Sequence, residues 1–192
     1  GVVLLNIKGF ASLPASLIAS QKAAVMWIDF DGEKKITPFL RINGSENMAI
    51  KATLTTVNTK TGAVSTTDGQ QAEISLDAGF RGYVILSLED AVVYNAWPSE
   101  DPQVSFADYI AEKGFTNINL YFNNGLLNNS TLYIDNIAYA NDINGLVNRI
   151  TSKLPSGDVN EDGTVDLLDL VRIKKYLSEQ TSCINYFRTD IT

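Results

Sequence analysis

Ile118-Asn119-Leu120-Tyr121-Phe122-Asn123 repeats with a period of two, so Ile118, Leu120 and Phe122 must share one face of an extended strand. The same parity recurs upstream. Val84, Leu86 and Leu88 face together in residues 83–88, as do Leu40 and Ile42 in residues 37–43, and Gly, Asn, Asp or Pro bounds each run. These sets make a core. Side chains of the opposite parity, namely Arg41, Asn43, Tyr83, Asn119, Tyr121 and Asn123, are expected to point away from it.

Further strands are expected at residues 2–7, 23–30, 48–57, 71–76 and 131–139, separated by turn signals at Asp31-Gly32, Asn43-Gly44, Thr61-Gly62 and Asp68-Gly69. The one helical candidate in this region is residues 105–113. Roughly eight short strands with little helix indicate a mainly β chain, an antiparallel two-sheet sandwich over residues 1–141. Residues 142–156 read as a linker.

The C-terminal region, residues 157–192, has a different grammar. From Asp158 to Asp169, oxygen-bearing side chains fall at the first, third, fifth, ninth and twelfth places of a twelve-residue loop, with Gly163 at the sixth. A hard cation the size of Ca2+ takes six to eight oxygens in this pattern. Asp158, Asn160, Asp162, Asp166 and Asp169 supply side chains, and Thr164 supplies its carbonyl. An acidic surface turn would use the same residue types, but over three or four positions rather than twelve. The twelfth place holds Asp169 instead of the longer Glu, so bidentate ligation requires the following helix to start close to the ion. Leu154-Pro155-Ser156-Gly157 interrupts any entering helix. The exiting helix carries one stripe of Leu170, Ile173 and Leu177, and a second face where Leu167, Leu168 and Val171 adjoin Lys174 and Lys175.

The stretch GDVNEDGTVDLLDLVRIKKYL, residues 157–177, resembles one repeat of a type I dockerin, the calcium-dependent module that plugs secreted proteins into cohesins on a cellulosome scaffold. The resemblance implies a cohesin partner and a secreted, extracellular location, scaffold- or cell-surface-associated. It also implies that cohesin is read by Leu167 and Leu168, with Val171 on the same face, and by Lys174 and Lys175. Dockerins carry two such repeats. Residues 178–192 hold no second loop, and Thr189-Asp190-Ile191-Thr192 reads as the run-up to one, so the chain is expected to be cut just before it. The opening Gly1-Val2-Val3 likewise reads as a trimmed start.

A looser resemblance covers most of residues 1–141. Residues 131–139 look like the closing strand of jelly-roll carbohydrate-binding modules, and residues 79–84 resemble a central strand of the same group. That likeness makes Asp135 a candidate ligand for a structural calcium ion, the alternative being a carboxylate satisfied by nearby backbone amides. Sugar binding needs aromatic faces beside hydrogen-bonding groups. Tyr83, Tyr121, Asn119, Asn123 and Arg41 are candidates by parity, and Trp97 by its place in the loop Tyr94-Asn95-Ala96-Trp97-Pro98, while Trp27 reads as core. Packing is the alternative for each ring.

Composition narrows the remaining classes. A formal net charge of -7 leaves no basic stripe for phosphates, so nucleic acid is not expected as a partner. No run of eighteen apolar residues offers a membrane span. The chain has no histidine, which removes Ser-His and Cys-His nucleophile systems. Carboxylates at Asp29, Asp31, Glu33, Glu89, Asp90, Glu100 and Asp101 sit mostly in turns. A single Cys183 forms no internal disulfide. The expected function is a non-catalytic module binding plant polysaccharide and docking to cohesin. The alternatives are a structural or adhesion sandwich, or an accessory domain of a glycoside hydrolase.

Overall fold

A computed structural model describes residues 3–99, 102–122, 129–152, 157 and 164–178, with the side chains of 175–177 excepted. The chain divides into two compact units, Gly1–Leu146 and Val147–Thr192.

The first unit is a sandwich of two antiparallel sheets. One has six strands in the order β1 (Val3–Ile7), β10 (Ile118–Phe122), β3 (Phe39–Ile42), β4 (Met48–Lys51), β8 (Val92–Asn95) and β9 (Val104–Ser105). The other has five: β11 (Thr131–Ala140), β2 (Ala23–Asp31), β7 (Arg81–Ser87), β5 (Leu54–Asn58) and β6 (Val64–Thr67). Leu40, Ile42, Ile50, Val93, Ile118, Leu120 and Phe122 of the first sheet meet Ala24, Met26, Ile28, Leu54, Val84 and Leu86 of the second in one buried cluster. Each large side chain in it contributes about 2 kcal/mol by leaving water. The parity sets expected from the sequence all lie in this core.

Several strands differ from expectation. Residues 48–57 are two strands in different sheets, broken at Ala52-Thr53, because the chain crosses there from one layer to the other. Residues 71–76 make only isolated bridges, Ile36 with Leu76 and Phe39 with Glu73. The crossing is held by Asp90, whose carboxylate accepts from the Thr53 N–H at 3.0 Å and from its hydroxyl at 2.5 Å. Burial pushes the Asp90 carboxyl upward, but hydrogen bonds from Ser87 and Thr53 outweigh this and leave it below its ordinary value. Asp90→Ala should therefore cost about 1 kcal/mol at neutral pH. Because the folded-state pKa is depressed, the difference from wild type should shrink as pH falls through that value, which urea titrations at several pH values can read.

The helix α2 (Phe106–Lys113) starts on Ser105, whose hydroxyl accepts from the Asp108 N–H at 3.1 Å, and ends at Gly114 with φ 76. An earlier short helix, α1, spans Ala15–Ile18. The expected linker is instead largely helical: α3 covers Ile143–Thr151. Asp142 caps it by accepting from the Gly145 N–H at 2.9 Å, and Ile143, Leu146, Val147 and Ile150 repeat at helical spacing. Asn144 and Gly145 mask that signal in the sequence. In the second unit, α4 spans Leu167–Leu177.

Candidate functional site

On its outer face, the six-stranded sheet lines up Leu4, Tyr121 and Phe39 in one row by register, and Asn6, Asn119, Arg41, Ala49 and Tyr94 in the next. Arg41 is its centre. The guanidinium carbon stands 5.3 Å from the Phe39 ring centroid and 5.1 Å from that of Tyr121, and the two rings meet edge to face at 6.5 Å. Arg41 donates from Nε to the Glu46 carbonyl at 2.8 Å and from Nη1 to the Leu40 carbonyl at 3.0 Å. Burial lowers its pKa from the ordinary arginine value, with Tyr94 and Tyr121 acting in the opposite direction. Nearby on the same face, the Lys51 ammonium lies 4.5 Å from the Tyr94 ring centroid.

Trp97 is 75 % exposed. It follows β8 at the end of the sheet where the Asn47 carbonyl accepts from Ala96 N–H, so the turn carrying Glu46 and Asn47 touches both Arg41 and the strand leading to Trp97. The Trp97-Pro98 peptide is cis. Phe39 was not singled out from the sequence, although it has the parity of Arg41.

Other expectations are corrected. Asn119 is fully buried and does not present to solvent. Its Oδ1 accepts from Gly44 N–H at 2.9 Å, its Nδ2 donates to Asn6 Oδ1, and Asn117 adds a 3.0 Å bond to the same glycine. These bonds latch the Asn43-Gly44 turn, whose positive φ values of 55 and 70 suit an asparagine and a glycine. Tyr83 is buried and lies in the five-stranded sheet, so it shares no platform with Tyr121. Val25, Val57 and Ile85 on its face are buried too, which makes β2 and β7 strands with two buried faces. Trp27 belongs to that outer face and is half-buried rather than core, with Arg81 at 5.3 Å from its ring centroid and paired to Asp29 at 3.4 Å. Asn123 lies outside the described residues.

Three of the acids have structural occupations. Asp29 pairs with Arg81, Glu89 with Lys22 at 3.1 Å, and Asp90 holds Thr53. Asp135 is exposed at a bulge in β11, where it accepts from the Asn136 N–H at 2.7 Å. Glu100 and Asp101 lie outside the described residues.

In the second unit, Asp158, Asn160 and Asp162 lie outside the described residues, while Thr164, Asp166 and Asp169 are described. Asp166 caps α4 by accepting from Leu168 N–H at 2.7 Å, and Asp169, three residues on, reaches back to Asp166 N–H at 2.8 Å. Asp169 is only 3 % exposed. Two hard carboxylates thus converge on the positive first turn of the helix, and the donor chemistry fits calcium. When bound, the ion would supply charge neutralisation and hold the loop to the helix start. Along α4, Leu167 is 70 % exposed, Leu168 59 %, Leu170 46 % and Val171 39 %. Lys174 is exposed as well. The side chain of Lys175 lies outside the described residues.

Residues 156–192 match the dockerin type I domain model. No curated protein and no solved structure matches the chain. A dockerin is a docking module and not a catalytic one; it implies calcium, a cohesin partner and a cellulosome-type assembly. Among the described residues no helix is long and apolar enough to cross a membrane.

Proposed function

We propose that this chain is a non-catalytic component of a secreted, cellulosome-type assembly, with a docking segment in residues 157–192 that binds cohesin when calcium occupies the loop of residues 158–169. The observation that carries this reading is the row of exposed leucines at the start of α4, beside Lys174 and directly after the matched loop. Contiguous exposed apolar side chains of this kind mark protein interfaces. Thr164, Asp166 and Asp169, together with Asp158, Asn160 and Asp162, hold the ion in this reading, and Leu167, Leu168, Val171, Lys174 and Lys175 face cohesin. Capture of the chain on immobilised type I cohesin should require calcium. Leu167→Asp combined with Leu168→Asp should weaken it about a hundredfold, since two desolvated anchors are lost, while calcium uptake persists. Capture that ignores chelator, or survives both substitutions, defeats the docking assignment.

The sandwich of residues 1–141 is assigned to plant polysaccharide. Supporting this is the outer face of the six-stranded sheet, where Phe39 and Tyr121 offer ring faces beside Arg41, with Trp97 exposed near one end. Affinity electrophoresis against cellulose, xylan, glucan, mannan and pectin should show retardation that Tyr121→Ala reduces. Retardation by none of them would leave the sandwich as a structural or adhesion spacer.

A further inference from the structure

Charge pairing in the sandwich runs against the usual order. Arg81, an exposed cation, has a carboxylate at 3.4 Å. Arg41 is only 8 % exposed, yet among the described residues no carboxylate comes within 4.0 Å of it. Glu46 offers its carbonyl rather than its acid, and Glu73, bridged to Phe39, makes no ion pair with the guanidinium. An unpaired buried charge is costly, and two aromatic rings and two carbonyls compensate it only in part. An arginine has five N–H donors. Among the described residues two are engaged, at Nε and Nη1, which leaves one hydrogen on Nη1 and two on Nη2.

From this we infer that the outer face of the six-stranded sheet recognises a carboxylate-bearing sugar, a uronic acid within a polysaccharide, through Arg41. The inference rests on the glycan reading of this face and names its substrate class. The guanidinium is held between two rings, Phe39 and Tyr121, and two carbonyls, and its remaining Nη donors have the geometry that pairs with a carboxylate. The rings beside Arg41 accept the C-H face of a pyranose. Neutral glycans would meet the rings but leave the guanidinium uncompensated.

Calorimetry on the full chain in calcium-free buffer, with short oligogalacturonates and their methyl esters, tests this directly. The two ligands share the sugar ring and differ in the carboxyl charge and the ester methyl. The free acid should bind at least about tenfold more tightly, one charge-assisted pair's worth of discrimination. Arg41→Met, which keeps an apolar chain over the rings, should erase the difference, and Arg41→Lys should retain only part of it; a thermal melt confirms that each variant folds. The wild-type comparison needs no variant. Equal binding of acid and ester, tighter binding of the ester, or a preference that survives in folded Arg41→Met overturns the uronic-acid inference and leaves glycan binding standing. Binding to neutral xylan or glucan with none to either galacturonide does the same. No binding to any glycan removes both.

Discussion

Gly82→Ala should lower the stability of the sandwich by about 3 kcal/mol or more, because the added methyl group would run into backbone. Gly82 sits in β7, the central strand of the five-stranded sheet, opposite Ile28 on one side and Asn58 on the other. A Cβ built there meets the Val57 carbonyl oxygen at 1.9 Å, its carbonyl carbon at 2.9 Å and the Asn58 Cα at 3.0 Å. All three are backbone atoms of the neighbouring strand. A side chain could rotate away, but a paired strand yields only by shifting, and that would disturb the register in which Leu54 meets Leu86 in the core. Gly44 makes the contrast: a Cβ there meets nothing within 4 Å, and only its φ of 70 resists alanine. Gly44→Ala should therefore cost about 1 kcal/mol, from backbone strain alone. Urea unfolding of both variants checks the order, and a Gly82→Ala midpoint close to wild type would show that β5 and β7 do not approach as described.

Why the sandwich was legible and part of its surface was not comes down to what alternation encodes. Parity separates two faces of a strand, and for Leu40, Ile42, Val84, Leu86, Ile118 and Leu120 that was enough to find the core. It says nothing about whether the other face meets water. Tyr83 has outward parity and is buried all the same, and the sign was the unbroken apolar run from Tyr83 to Leu86, matched by Ala23 to Met26 in β2, which marks strands covered on both sides. Asn119 was misread for another reason. Its amide caps a turn far away in sequence, and no local pattern announces a hydrogen bond to Gly44. Trp97 was found because Asn and Pro around it signal an exposed loop. The start of α4 was found because a calcium loop fixes its own register: once Asp158 is its first place, the helix must begin near the ninth, and it begins at Leu167.

That register also frames the second large effect. Asp158→Ala together with Asp169→Ala should abolish calcium binding in the micromolar range, a loss of at least about a hundredfold, because two carboxylates leave a site that relies on ligand charge. Asp169 has two roles to separate, since one of its oxygens accepts the Asp166 N–H and secures the first turn of α4. Asp169→Asn distinguishes them: the amide oxygen still accepts that hydrogen bond, so the helix keeps its start, while the formal negative charge at the ion is gone. If Asp169 is chiefly a ligand, Asp169→Asn should lose most of the affinity seen by terbium luminescence; if it is chiefly a cap, Asn should bind like wild type and Ala should not. Without the ion, Asp158, Asp162, Asp166 and Asp169 repel within one short loop, so chelation should speed proteolysis within residues 157–177. Every member of the buried sandwich cluster falls between Ile7 and Phe122, and its melting temperature should not follow calcium. A sandwich that melts earlier in chelator, or a double mutant that still lights terbium, would mean the ion sits elsewhere than in the loop that Asp169 closes.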